Sequence, residues 1–203
     1  MKCFCLLLCG SALMAADAPR LFYSKSFPGS LPAYVAISVD KTGAGEYKEA
    51  TDDDRPLKFQ LHEDEVNEIF ALAEKLGRFN RVLESPLKVA FMGTKTFRFE
   101  DGGQKGEVKF NFSEDPTARA LADWFERISE SEQHRINLER AAKYDRLGVM
   151  KALLLYEISW DRKRLVGVEQ FLPILDRIAK NDIYMHAARL RAAGLADAIR
   201  TPK

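Results

Sequence analysis

The chain has 203 residues, with 31 Lys and Arg against 30 Asp and Glu. That balance, with no basic-aromatic motif, argues against a nucleic-acid partner. All three cysteines (Cys3, Cys5 and Cys9) lie at the N-terminus, so the remainder has no thiol for catalysis, redox switching or metal ligation.

Residues 1–16 read as a signal peptide. Lys2 supplies a positive start, and Phe4 to Met14 form an apolar run too short to span a bilayer. Ala15, Ala16 and Ala18 follow, and Pro19 breaks any helix. Cleavage is expected near Ala15 or Ala16. Cys9 offers a lipoprotein alternative, but Leu8 stands where a small residue is usual, and the apolar run before it is only Phe4 to Leu8. No later stretch is long and apolar enough to cross a membrane. The expectation is an exported protein, periplasmic or extracellular, of about 187 residues after cleavage. A chain of that length buries roughly 70% of its unfolded surface.

Charge is unevenly spread. Asp17 to Gln133 holds 16 basic and 22 acidic residues, a net of −6, whereas His134 to Lys203 holds 14 and 8, a net of +6. Either the two parts dock on each other, or the basic part presents a face to an acidic partner.

Residues 20–130 read as an α+β domain. After an extended lead (Leu21, Phe22, Tyr23), Val35, Ile37 and Val39 alternate with Ala36 and Ser38, a strand with one buried face. Asp40 to Gly45 is a turn, and Glu46 to Ala50 returns as a strand. Asp52 to Pro56 is a polar loop, and Leu57, Phe59 and Leu61 mark a short strand. In HEDEVNEIFALAEKLG, Val66, Ile69, Phe70, Ala73 and Leu76 make one helical face. Acidic residues sit in its first turn, and Gly77 ends it. Leu87 to Phe91 is a candidate strand. Phe97 and Phe99, with Val108, Phe110 and Phe112, mark a hairpin that turns at Asp101 to Gly106. The sheet is expected to be antiparallel, with four or five strands packed against helices.

An all-α C-terminal segment, 131–203, follows a helix that opens at Pro116 and carries Leu121, Trp124, Phe125 and Ile128. Helix breaks are expected at Ser129 to Gln133, near Gly148, at Asp161 to Gly167, and at Asn181 to Asp182. Phe171, Leu172, Leu175 and Ile178 mark one later helix, with Pro173 in its first turn. Ile183, Ala187, Leu190, Ala193, Leu195 and Ile199 mark the last. No sequence repeat is found.

The pattern Gly29-x-x-Pro32-x-Tyr34, followed by strand, glycine turn, strand and amphipathic helix, resembles a family of uncharacterised bacterial exported domains that open with Cys-x-Gly-x-Cys-Pro-x-Tyr. The likeness covers residues 22 to 128. It implies export and the strand–turn–strand–helix order, and it brings no established activity. Phe27 and Leu31 stand at the family's two cysteine positions. No disulfide or metal role of that pair carries over, and two large apolar residues imply packing in its place.

Candidate chemistry is sparse. His62, His134 and His186 lack the spacing of a zinc site. His62, Glu63, Asp64 and Glu65 have metal-like composition but read more simply as a solvated acidic helix start. Asp52, Asp53 and Asp54 lack the ligand spacing of a calcium loop. No Gly-x-Ser-x-Gly elbow occurs, and no cofactor is implied. Trp124 falls on an apolar stripe. Trp160, beside Arg162, Lys163 and Arg164, has the composition of a binding hot spot or of an ordinary helix end. The expected function is non-catalytic, through protein–protein contacts in the cell envelope, with Trp160, Arg162, Lys163 and Arg164 at the contact. The alternative is a hydrolase acting on an envelope or extracellular polymer, which requires a carboxylate-lined cleft.

Overall fold

The computed structural model describes residues 18–201, so the signal-peptide reading of residues 1–16 and the three cysteines lie outside the described residues. The strands are β1 (Arg20–Ser26), β2 (Tyr34–Asp40), β3 (Ala44–Lys48), β4 (Leu57–Gln60), β5 (Thr94–Asp101) and β6 (Gln104–Phe110). The helices are α1 (Glu63–Lys75), α2 (Pro116–Tyr144), α3 (Gly148–Asp161), α4 (Leu172–Lys180) and α5 (His186–Arg200). The fold is α+β, with one antiparallel sheet in the order β4-β3-β2-β1-β5-β6.

The sheet therefore has six strands, not four or five. The extra strand is the lead at Leu21 to Tyr23, which lies at the centre of the sheet and pairs with both β2 and β5. Its outward Phe22 hides the two-residue alternation, and one partner lies far along the chain. Leu87 to Phe91 is not a strand. Leu87, Val89 and Phe91 are exposed there, and the Asn111 side chain takes the place of a ladder. It accepts the Met92 amide at 2.6 Å and donates to the Ala90 carbonyl at 3.1 Å.

One face of the sheet is the core. Tyr47, Ile37, Tyr23, Phe97 and Val108 form a cross-strand row, all of them buried. Inward residues recur with period two, which is the pleat of the strand. α1 and α2 cover this face with Val66, Ile69, Ala73, Leu121, Phe125 and Ile128. The Phe125 ring stacks on Tyr23 with centroids 4.8 Å apart. Glycine is required at Gly106, because a Cβ there would overlap the Arg78 carbonyl oxygen. Arg78 and Phe79 follow α1 with φ of 51° and 65°. This bend brings Phe79 onto Phe97, with ring centroids 5.2 Å apart.

α2 is one helix of 29 residues, without the break expected at Ser129 to Gln133. The polar run there does not mark a loop. Ser131 and Glu132 are buried, and their side chains bond to the segment after α3. The N-terminal part of α2 belongs to the sheet core, while Leu138 and Ala142 belong to a second core made with α3, α4 and α5. The breaks near Gly148, at Asp161 to Gly167 and at Asn181 to Asp182 are all present.

The buried face of α5 keeps the expected Leu195 and Ile199 but is otherwise shifted. Ala188, Ala192, Leu195, Ala196 and Ile199 point inward, while Leu190 and Ile183 are exposed. The small Ala188, Ala192 and Ala196 allow α5 to lie close against α4, whereas Leu190 turns outward. No described helix is long and apolar enough to cross a membrane.

Candidate functional site

Trp160, Arg162, Lys163 and Arg164 lie together at the C-terminal end of α3. The helix closes in a Schellman turn. The Lys163 amide donates to the Trp160 carbonyl at 2.8 Å, and the Arg164 amide to the Ser159 carbonyl at 2.9 Å. Lys163 takes the left-handed position with φ of 55°, where glycine is the usual residue. Arg162 and Lys163 are exposed, whereas Trp160 and Arg164 are half-buried.

The four side chains have different surroundings. Arg164 Nε donates to Glu130 at 3.1 Å, and its terminal nitrogen donates to Asp123 at 2.6 Å. It thereby ties the turn to α2. These bonds join a residue of the basic C-terminal part to two carboxylates of the acidic N-terminal part. The Trp160 ring stacks on Tyr156 at 6.4 Å and forms a shared wall of two grooves. One groove, of about 630 Å³, runs between α3 and α5 past Ala187, Leu190, Gly194 and Ala198. The other, of about 430 Å³, passes Glu65, Arg127, Lys163 and Val168.

Beside the first groove the surface of α3 is apolar. Leu147, Leu154, Leu155 and Ile158 are exposed, and Leu190 on α5 is 61% exposed. Leu147, Leu154 and Ile158 fall on one stripe of the helix by their spacing. Sequence reasoning did not identify these residues. Their signal is the unbroken apolar run of Ala152 to Tyr156, which exceeds what one buried face needs.

A polar cluster lies beneath the turn. The Ser159 hydroxyl donates to Glu130 at 2.7 Å and lies 2.9 Å from His134 Nε2. The single hydroxyl proton is thus committed to the carboxylate, so Nε2 carries a proton and donates to Ser159. A nucleophilic serine needs the opposite polarity, with histidine accepting the hydroxyl proton. Burial holds the His134 pKa down, against the Glu130 charge. This cluster is suited to joining α2 and α3. Beside it, Glu132 is 1% exposed, accepts from Gln170 at 2.8 Å, and has its pKa pushed up to about 7 by burial, with Arg135 opposing.

The acidic start of α1 is a cap with a tether. The Asp64 amide donates to His62 Nδ1 at 3.5 Å, and the His62 amide donates to Glu65 at 2.8 Å. Glu65 is not a freely solvated residue of that turn, because it also accepts the Gly167 amide at 3.2 Å. Burial raises its pKa. Asp53 closes its own turn by accepting the Arg55 amide at 2.9 Å. Trp124 is buried, with the Arg127 guanidinium 4.3 Å from its ring. At the two positions of the resembled cysteine pair, Phe27 packs edge-on against Phe91, but Leu31 is 98% exposed and packs on nothing. Among the described residues no three His, Cys, Asp or Glu are grouped to hold a metal ion. No family model matches the chain, and no curated protein matches it.

Proposed function

We propose that this is an exported, non-catalytic protein that acts through protein–protein contacts in the cell envelope, with the α3–α5 face as its contact surface. The observation that carries this reading is Trp160, half-buried between two grooves, with the exposed Leu190 on the wall of the first and the exposed Leu154 and Ile158 on the neighbouring stripe of α3. An aromatic anchor beside exposed aliphatic side chains is the arrangement found at interaction hot spots. Lys163 supports it. A lysine kept at positive φ sacrifices local stability for a charge at that point. The leader-like residues 1–16 and the resemblance to exported domains support export. In this reading Trp160, Ile158 and Leu190 fill the partner's apolar surface, Arg162 and Lys163 meet its acidic groups, and Arg164 holds the turn in place.

The test is to replace Trp160 by Ala and Lys163 by Glu together, with Arg164 intact, and to measure capture of a stoichiometric partner from envelope and medium fractions. The double variant should fold and lose the partner. Capture equal to that of the wild type would overturn the reading.

A further inference from the structure

Where α2 moves away from the sheet, the core face of the sheet turns polar. The inward row at that end runs Val35, Lys25, Lys95 and Phe110, with two lysines where the neighbouring row carries Tyr23 and Phe97. Opposite it α2 presents Glu126, Ser129, Glu130 and Gln133, and a cleft of about 400 Å³ lies between the two layers. The Phe27–Pro32 loop forms one wall. The volume falls within the range of small-ligand sites.

Tyr23 lies at the cleft. The residue is 2% exposed, and its ring is fixed on Phe125, yet its hydroxyl has no hydrogen-bond partner within the chain. Buried polar groups are almost always bonded, and an unmet one asks for an explanation. Burial, and after it the Glu126 charge, raise its pKa, so the group is an O–H donor.

The charged rim is already matched. Lys25 pairs with Glu126 at 3.1 Å, and Arg164 Nε with Glu130 at 3.1 Å. A charged ligand would have to break one of these pairs. A neutral ligand leaves both intact and meets their remaining donor and acceptor positions. Phe27, Pro32 and Val35 add apolar surface. We propose that this cleft binds a neutral polyhydroxylated ligand, a saccharide unit, whose oxygen accepts from the Tyr23 hydroxyl. Its ring hydroxyls bond to the paired rim side chains, and its apolar ring face lies on Phe27, Pro32 and Val35. The cleft shares Arg164 with the turn that ends α3, but its ligand contacts do not involve Trp160 or Leu190.

The experiment is a protein-observed NMR titration of the chain with N-acetylglucosamine and glucose, with zwitterionic glycylglycine as the charged comparison. At least one sugar should give saturable shifts at Tyr23, Lys25, Ser129 and Gln133. Tyr23→Phe should bind that sugar roughly tenfold more weakly, the equivalent of one hydrogen bond, while melting no lower than wild type. Gln133→Ala should also weaken it and serves as a second variant. No saturable shift with either sugar overturns the proposal, as does unchanged affinity in Tyr23→Phe. Tighter binding of glycylglycine overturns it in favour of a charged ligand. A lower melting temperature in Tyr23→Phe also overturns it, because the hydroxyl would then be bonded within the fold.

Discussion

The Val166 backbone amide donates to the buried Ser131 hydroxyl at 2.9 Å, and this bond fastens the segment after α3 to the middle of α2. Ser131 in turn donates to the Arg127 carbonyl at 3.0 Å. Replacing Ser131 by Ala leaves a buried amide without a partner. The expected loss is about 1–3 kcal/mol, seen as a lower urea midpoint with an unchanged slope. Amide exchange at Val166 should accelerate in the same variant. A midpoint within error of wild type would show that the bond contributes nothing.

Glu132 makes stability depend on pH. Its folded pKa is raised from 4.5 to about 7, so the folded state holds a proton that the unfolded state has released. Stability from this group is therefore highest below about pH 4.5 and falls as pH rises to about 7. The full difference is on the order of 3 kcal/mol. Glu65 acts in the same direction. Subtracting the profile of Glu132→Gln from that of wild type isolates the first group. The variant should gain relative stability steadily between pH 5 and 7, read from urea unfolding at each pH. A parallel pair of profiles would show that Glu132 does not titrate in that window.

Gly106→Ala tests the close approach of β6 to the bend after α1. The added methyl has no room beside the Arg78 carbonyl. Overpacking of this kind costs about 1–3 kcal/mol, which lowers the melting temperature by a few degrees in a chain of this size. Gly103→Ala, with open space at its Cβ, is the control and should change stability far less.

Lys163→Gly should do the reverse. A non-glycine residue in the left-handed region loses about 1–2 kcal/mol relative to glycine, partly offset by the greater freedom of glycine when unfolded. The net gain is expected near 0.5–1 kcal/mol, measured by thermal or urea unfolding. If Lys163 contacts the partner, the more stable variant also binds it more weakly, a trade of stability against function.

Legibility in the sequence follows the range of the interactions involved. The alternation of β2 and of the β5–β6 hairpin, and the apolar face of α1, are local and readable. β1 was harder to see because Phe22 points outward and Lys25 inward, against the simple pattern. The polar run in α2 resembled a break because the partners of Ser131 and Glu132 lie 35 and 38 residues away. The same holds for the candidate site. Trp160 stands out beside three cations, but Arg164 reads like its neighbours until Asp123 and Glu130 are placed beside it. The exposure of Ile158 and Leu190 depends on how α3 and α5 pack, which no local spacing reveals.

The most direct measurement is site-specific photocrosslinking in the native envelope fraction. A photoreactive residue is placed at Ile158 or Leu190, or at Ser38 on the opposite face of the sheet as a control. The account predicts one discrete adduct, with the same partner, from positions 158 and 190 and none from 38. No adduct from the α3–α5 face, or an equal yield from Ser38, would contradict it.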